Sequence, residues 1–103
     1  MTITIQGLEF TGPHYLDHCT LPSSSGIYSI MIETTTNTYS IIYVGETSDF
    51  SERLTTSHHK YDCWKPHGVT LHYGLYMMPS STSEQRTDLE SKLISAINPP
   101  CND

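Results

Sequence analysis

Positive charge is what this chain has least of. Its 103 residues hold 5 Lys+Arg against 11 Asp+Glu, for a net charge of -6 and a pI near 5.3. That excludes the simple inference from a basic surface to nucleic acid. All charged residues together are only 16%, below the usual quarter. No apolar run approaches the ~18 residues a membrane span needs. The opening MTITIQGLEF lacks the basic head and apolar stretch of a secretory signal, so the expected compartment is the cytoplasm. Cysteine is scarce as well. Cys19, Cys63 and Cys101 are odd in number and widely spaced, and read as reduced thiols of a cytosolic protein.

Isoleucine and tyrosine in β-type runs are what the chain does have. Thr2–Phe10 alternates as one short strand, and Gly12–Ser25 reads as an irregular connection. Gly26–Glu33 and Tyr39–Glu46 flank the turn residues TTTNT, so the pair reads as an antiparallel hairpin. Asp49, three residues before Glu52, starts a helix expected to run to about Ser57. His58–Gly68 reads as loop and Val69–Met77 as a further strand. A last helix opens at Ser81–Glu84 and runs to about Ala96, stopped by Pro99 and Pro100. The length fits a single α+β domain, with residues 1–25 as an extension packed on a body of 26–103.

Two helical positions break the amphipathic pattern. On the last helix, Glu90 falls about 40° from Arg86, inside the arc that runs from Leu89 through Leu93 and Ile97 to Ile94. A carboxylate among apolar neighbours needs a cation, a metal or a proton. Either Arg86 answers it as an i, i+4 partner or a ligand does. On the first helix, Arg53 and His58 flank the stripe of Phe50 and Leu54. Such an arginine ordinarily lies along the surface with its head in water.

The strings GIY (Gly26, Ile27, Tyr28) and YVG (Tyr43, Val44, Gly45) stand on consecutive strands. Arg53 follows Tyr43 by ten residues, Glu90 stands on a later helix, and Asn102 follows a proline turn. This ordered set resembles the GIY-YIG nuclease family. The resemblance implies a three-stranded antiparallel sheet flanked by helices, here with an additional N-terminal strand. It implies that Tyr28 or Tyr43 acts as general base or positions the attacking water. Arg53 would stabilise charge on the phosphate, Glu90 would hold a single Mg²⁺ (or Mn²⁺), and Asn102 would orient the site. The activity implied is DNA endonuclease, leaving 3′-hydroxyl and 5′-phosphate ends. A phenol with pKa about 10 is a poor base near neutrality, so it needs help from the ion and Arg53.

The sequence departs from the family at Ser57, where many members have His or Tyr. His58 is expected to supply that function, with His59 swinging away from the site. Glu46, directly after YVG, is an unfavourable neighbour for a phosphate. Lys60 and Lys65 are the expected DNA-facing cations. Trp64 between them either stacks a base or caps the core. His14, His18 and Cys19 read as a polar surface turn rather than a zinc site. Cys63 and Cys101 read as small buried packers. So few cations imply weak binding by one chain, and hence a homodimer, a partner subunit or a pre-distorted substrate. The alternative is a catalytically weak or inactive protein of this fold that binds nucleic acid or a protein partner.

Overall fold

The computed structural model describes residues 2–16, 21–54, 58–67 and 70–102. Strands β1 (Thr2–Ile5), β2 (Leu8–Tyr15), β3 (Gly26–Thr35) and β4 (Thr38–Thr47) precede the short helices α1 (Phe50–Arg53) and α2 (Tyr61–Trp64). After a 3-10 turn at Lys65–His67 come β5 (His72–Met77), helix α3 (Ser83–Ile97) and a last 3-10 turn at Pro100–Asn102. All strands pair antiparallel in one sheet of order β1-β2-β5-β3-β4. Among the described residues no helix is long and apolar enough to cross a membrane.

The expected three-stranded sheet is β5-β3-β4, and the β3–β4 hairpin forms as read. Tyr28 stands opposite Gly45, and Ile30 opposite Tyr43. The N-terminal reading needs correction. Thr2–Phe10 is not one strand, because Gln6 and Gly7 both take positive φ (50° and 80°) and fold it into a hairpin. Two such residues in succession make the turn whose twist matches paired strands. β2 then continues to Tyr15 and pairs with β5, so Gly12–Tyr15 is strand rather than connection. The region expected to be loop contains α2 and the turn at Lys65–His67. Val69, the expected start of the last strand, lies outside the described residues, and β5 begins at His72.

Strand alternation sends side chains to two cores. On one face Tyr28, Ile30, Ile42, Tyr43, Tyr73 and Leu75 pack under Phe50, Leu54, Trp64 and Cys101. On the other, Ile27 and Val44 meet Leu93 of α3, with Phe10 and Ile5 beside them. α3 starts as its sequence signals. Thr82 accepts from the Gln85 N–H, and the Gln85 side chain returns to the Thr82 N–H. Its last bond runs from the Asn98 N–H to the Ile94 carbonyl, and the left-handed φ of 53° at Asn98 then turns the chain out of the helix. Asp49 caps α1 by accepting from the Ser51 amide, and that helix closes at Leu54 after a single turn. Ser57, the expected end of that helix, lies outside the described residues.

β4 is an edge strand, and its open side is occupied locally by one side chain. Asn102 accepts from the Val44 N–H and donates to the Val44 carbonyl, each at 2.8 Å. The amide thus imitates a neighbouring strand and fixes the C-terminal turn against β4. At about 0.5–1.5 kcal/mol for each hydrogen bond, Asn102→Ala is expected to lose about 1–3 kcal/mol of stability. Urea unfolding of both proteins measures it, and equal midpoints would contradict the role.

Candidate active site

Tyr28 and Tyr43 enter one cluster because their positions on β3 and β4 share a face. Their ring centroids are 6.1 Å apart. Tyr28 lies across β4 over Gly45, where an added Cβ would run into its ring and hydroxyl. The glycine of YVG is therefore required for close approach. His58 reaches in from the segment before α2, and its Nε2 lies 2.6 Å from the Tyr28 hydroxyl. Trp64 closes the rear, with ring centroids 4.5 Å from His58 and 5.4 Å from Tyr43.

The backbone decides which nitrogen of His58 carries the proton. The Lys60 N–H donates to His58 Nδ1 at 3.0 Å, so Nδ1 must present its lone pair. A neutral His58 then carries its proton on Nε2 and donates it to the Tyr28 oxygen. The ring is neutral because burial, then Arg53, His59 and Lys60, push its pKa from 6.5 down to about 4. His58 is thus a donor to the phenol oxygen rather than a base. Burial, reinforced by Tyr43, pushes the Tyr28 hydroxyl far above its ordinary value, against a smaller downward pull from Arg53. Burial raises Tyr43 as well, so both tyrosines hold their protons at neutral pH.

Arg53 is exposed at the end of α1, and its Nη2 lies 3.0 Å from Nδ1 of His59. His59 does not swing away. It stacks on His58 with centroids 4.5 Å apart and holds the guanidinium beside the tyrosines. Sequence reasoning missed this role, and the only available signal was the adjacency of two histidines to Arg53.

Glu90 approaches the same edge from α3. Arg86 does not pair with it. Arg86 donates from Nε to Glu46 at 2.9 Å and from Nη1 to the Ser81 carbonyl at 2.7 Å. That choice satisfies Glu46, the acidic residue after YVG, and leaves Glu90 without an ion pair among the described residues. Burial raises the Glu90 pKa first and the Glu46 charge second, while the Glu46 amide and Arg53 pull it down.

The other expected residues divide. Asn102 belongs to the site's frame through Val44, the neighbour of Tyr43. Trp64 is fully buried, so it caps the core and has no face left for a base. Lys60 is half-buried and Lys65 exposed on the α2 side. The expectation of reduced thiols fails for two cysteines: Cys63 and Cys101 form a disulfide, across a sequence separation of 38 that gave no local sign. His18 and Cys19 lie outside the described residues, and His14 is exposed in β2 with its ring against Tyr73.

Comparison with solved structures finds this architecture elsewhere. Three crystal structures of the GIY-YIG N-terminal endonuclease domain of UvrC from Thermotoga maritima match at TM-scores of 0.56, 0.56 and 0.55. Identity is 20–21%, over 81% of this chain and 87% of that domain. The fold is that of a GIY-YIG endonuclease domain. Those structures carry a Tyr→Phe or an Asn→Ala substitution and are bound to the catalytic divalent cation. No family model and no curated protein matches the sequence.

The chemistry of the donor set at this edge suits a divalent cation. Glu90 is half-buried, has no cationic partner among the described residues, and is held near a second carboxylate. A single oxygen-donor group with open sides suits Mg²⁺, which keeps most of its water. The residues fit the group.

The depressed pKa of His58 has a consequence for stability. Between 6.5 and about 4 the unfolded chain takes up a proton that His58 refuses in the fold. The contribution is complete above 6.5 and is lost as pH falls towards 4. Denaturant midpoints of the wild type should therefore fall more steeply across this window than those of His58→Gln. Parallel curves would contradict a buried neutral His58.

Proposed function

We propose that this protein is a divalent-metal-dependent endonuclease that hydrolyses DNA phosphodiester bonds. The observation that carries the proposal is convergence at the β4 edge. Two phenols, an exposed guanidinium and a carboxylate without an ion partner among the described residues meet there, within the fold of an endonuclease domain. Arg53, held by His59, is the group able to meet the non-bridging oxygens of a phosphate. Its planar fork suits that geometry. Tyr28 and Tyr43 point their hydroxyls into the same cluster, where they orient the attacking water and the phosphate.

His58 donates to the Tyr28 oxygen, so the phenol's own proton is directed elsewhere. The same donor, with Arg53, favours the phenolate whenever Tyr28 gives up that proton. Glu90 would hold the divalent ion, with its carboxylate steadied by the Glu46 amide. When bound, the ion supplies charge stabilisation at the reacting phosphate and polarises water. Arg86 keeps Glu46 from repelling the substrate at the same edge.

Lys60 and Lys65 are the cations placed to meet the flanking DNA backbone. With a net charge of -6, one chain binds weakly, so a second copy, a partner subunit or a distorted substrate supplies the remaining affinity. The compartment of this reading is the cytoplasm.

Nicking of supercoiled plasmid with Mg²⁺ or Mn²⁺ is the test. Glu90→Gln should abolish metal-dependent nicking with the fold intact, because the amide keeps volume and loses charge. Arg53→Ala should lower the rate by about 10²–10³, the scale for one electrostatic donor. Undiminished nicking by Glu90→Gln would overturn the assignment. Retention of DNA without cleavage in either metal would favour a binding protein instead.

A further inference from the structure

Three side chains that the nuclease reading leaves unused meet on the α2 side of the domain. Cys63 lies in α2, and His67, four residues on, ends the following 3-10 turn. Cys101 comes from the turn after α3. The two sulfurs and an imidazole nitrogen all lie within 4.8 Å of one another. Cys101 is buried, Cys63 half-buried and His67 exposed. The bridge between the cysteines explains two of these groups. It does not explain an imidazole brought within reach of both sulfurs from a separate turn.

The donor set does. A tetrahedral zinc site has Zn–S near about 2.3 Å and Zn–N about 2.0–2.1 Å, which places its donor atoms roughly 3.3–3.8 Å apart. All three donors lie within 4.8 Å of one another, and opening the S–S bond lets the two sulfurs part towards that separation. Two thiolates and an imidazole select a thiophilic ion of the zinc class and discriminate against Mg²⁺, whose ligands are oxygens. We propose that Cys63, His67 and Cys101, once the bridge is reduced, bind a zinc-class cation, with water in the fourth position. A dithiol reductant supplies two electrons and two protons, opening the S–S bond to two thiols and becoming a disulfide itself. Metal binding then releases the two thiol protons to solvent, with His67 neutral.

The consequence is positional. α2 carries Trp64, the wall behind His58, and the last turn carries Asn102, which holds Val44. Bridge and ion tie the same two segments together, the first under oxidising conditions and the second under reducing ones. This site differs in kind from the carboxylate of Glu90. Soft and hard ions therefore distinguish the two.

The test uses the full chain with Cys19→Ser, reduced by a phosphine and titrated with Co²⁺. The proposal predicts one equivalent bound, with a sulfur-to-cobalt charge-transfer band and the intense visible bands of a tetrahedral site. Zn²⁺ should displace the cobalt and excess Mg²⁺ should not. His67→Ala, at an exposed position that leaves folding intact, should weaken Co²⁺ binding by more than about 100-fold, since outer-shell partners alone are worth about 10–100-fold. Cys63→Ser should weaken the charge-transfer band to that of one thiolate, and Cys63→Ser with Cys101→Ser should remove it. A reduced chain without that band, an affinity unchanged by His67→Ala, or a bridge that the phosphine cannot open would each overturn the proposal.

Discussion

The hydrogen bond between His58 and Tyr28 is the contact on which the site depends. Both partners are buried, and a buried polar group left without a partner costs about 1–3 kcal/mol. Each is therefore held where the other can reach it. The bond pins the segment before α2 to the first residues of β3, and with it His59, which in turn holds Arg53. Three further features serve the same contact. Gly45 leaves room for the tyrosine ring, the Lys60 N–H selects the histidine tautomer, and Trp64 walls off the solvent. Replacing any one changes the geometry that the other two accommodate.

A second set of constraints acts along the open edge of β4. β4 is an edge strand, and unpaired edges invite association with other chains. Here Asn102 occupies part of that edge and Arg86 neutralises the acidic residue beside it. Glu90 is left as the carboxylate facing Arg53 and Tyr43. Among the described residues it has no ion pair, because Arg86 turns to Glu46 and is backed by the Ser81 carbonyl and hydroxyl. Of the two carboxylates within reach, the one arginine thus pairs with Glu46.

Local signals were legible in the sequence. The two Ile/Tyr runs, the Asp49 cap and the last helix, read as opening at Ser81–Glu84 and running to about Ala96, rest on alternation, capping and helical spacing, which a linear chain displays. The GIY and YVG strings added the shared face of Tyr28 and Tyr43. What escaped was mostly long-range. The disulfide joins residues 38 apart, and Arg86 found Glu46 across 40 positions instead of Glu90 across four. A helical wheel places both Arg86 and Glu90 on one face but says nothing of a third group on a strand. The N-terminal hairpin escaped for a local reason: a turn at Gln6–Gly7 interrupts an alternation that otherwise continues through it. α2 escaped because four residues show no helical period.

Nitrogen-15 NMR of the histidine side chains, with His58 assigned through His58→Gln, measures the central contact directly. Near neutral pH the account predicts a neutral ring with the proton on Nε2 and an unprotonated Nδ1, persisting on acidification until close to its pKa of about 4. A proton on Nδ1, or an imidazolium at pH 7, would contradict it, since neither can both accept from Lys60 and donate to Tyr28.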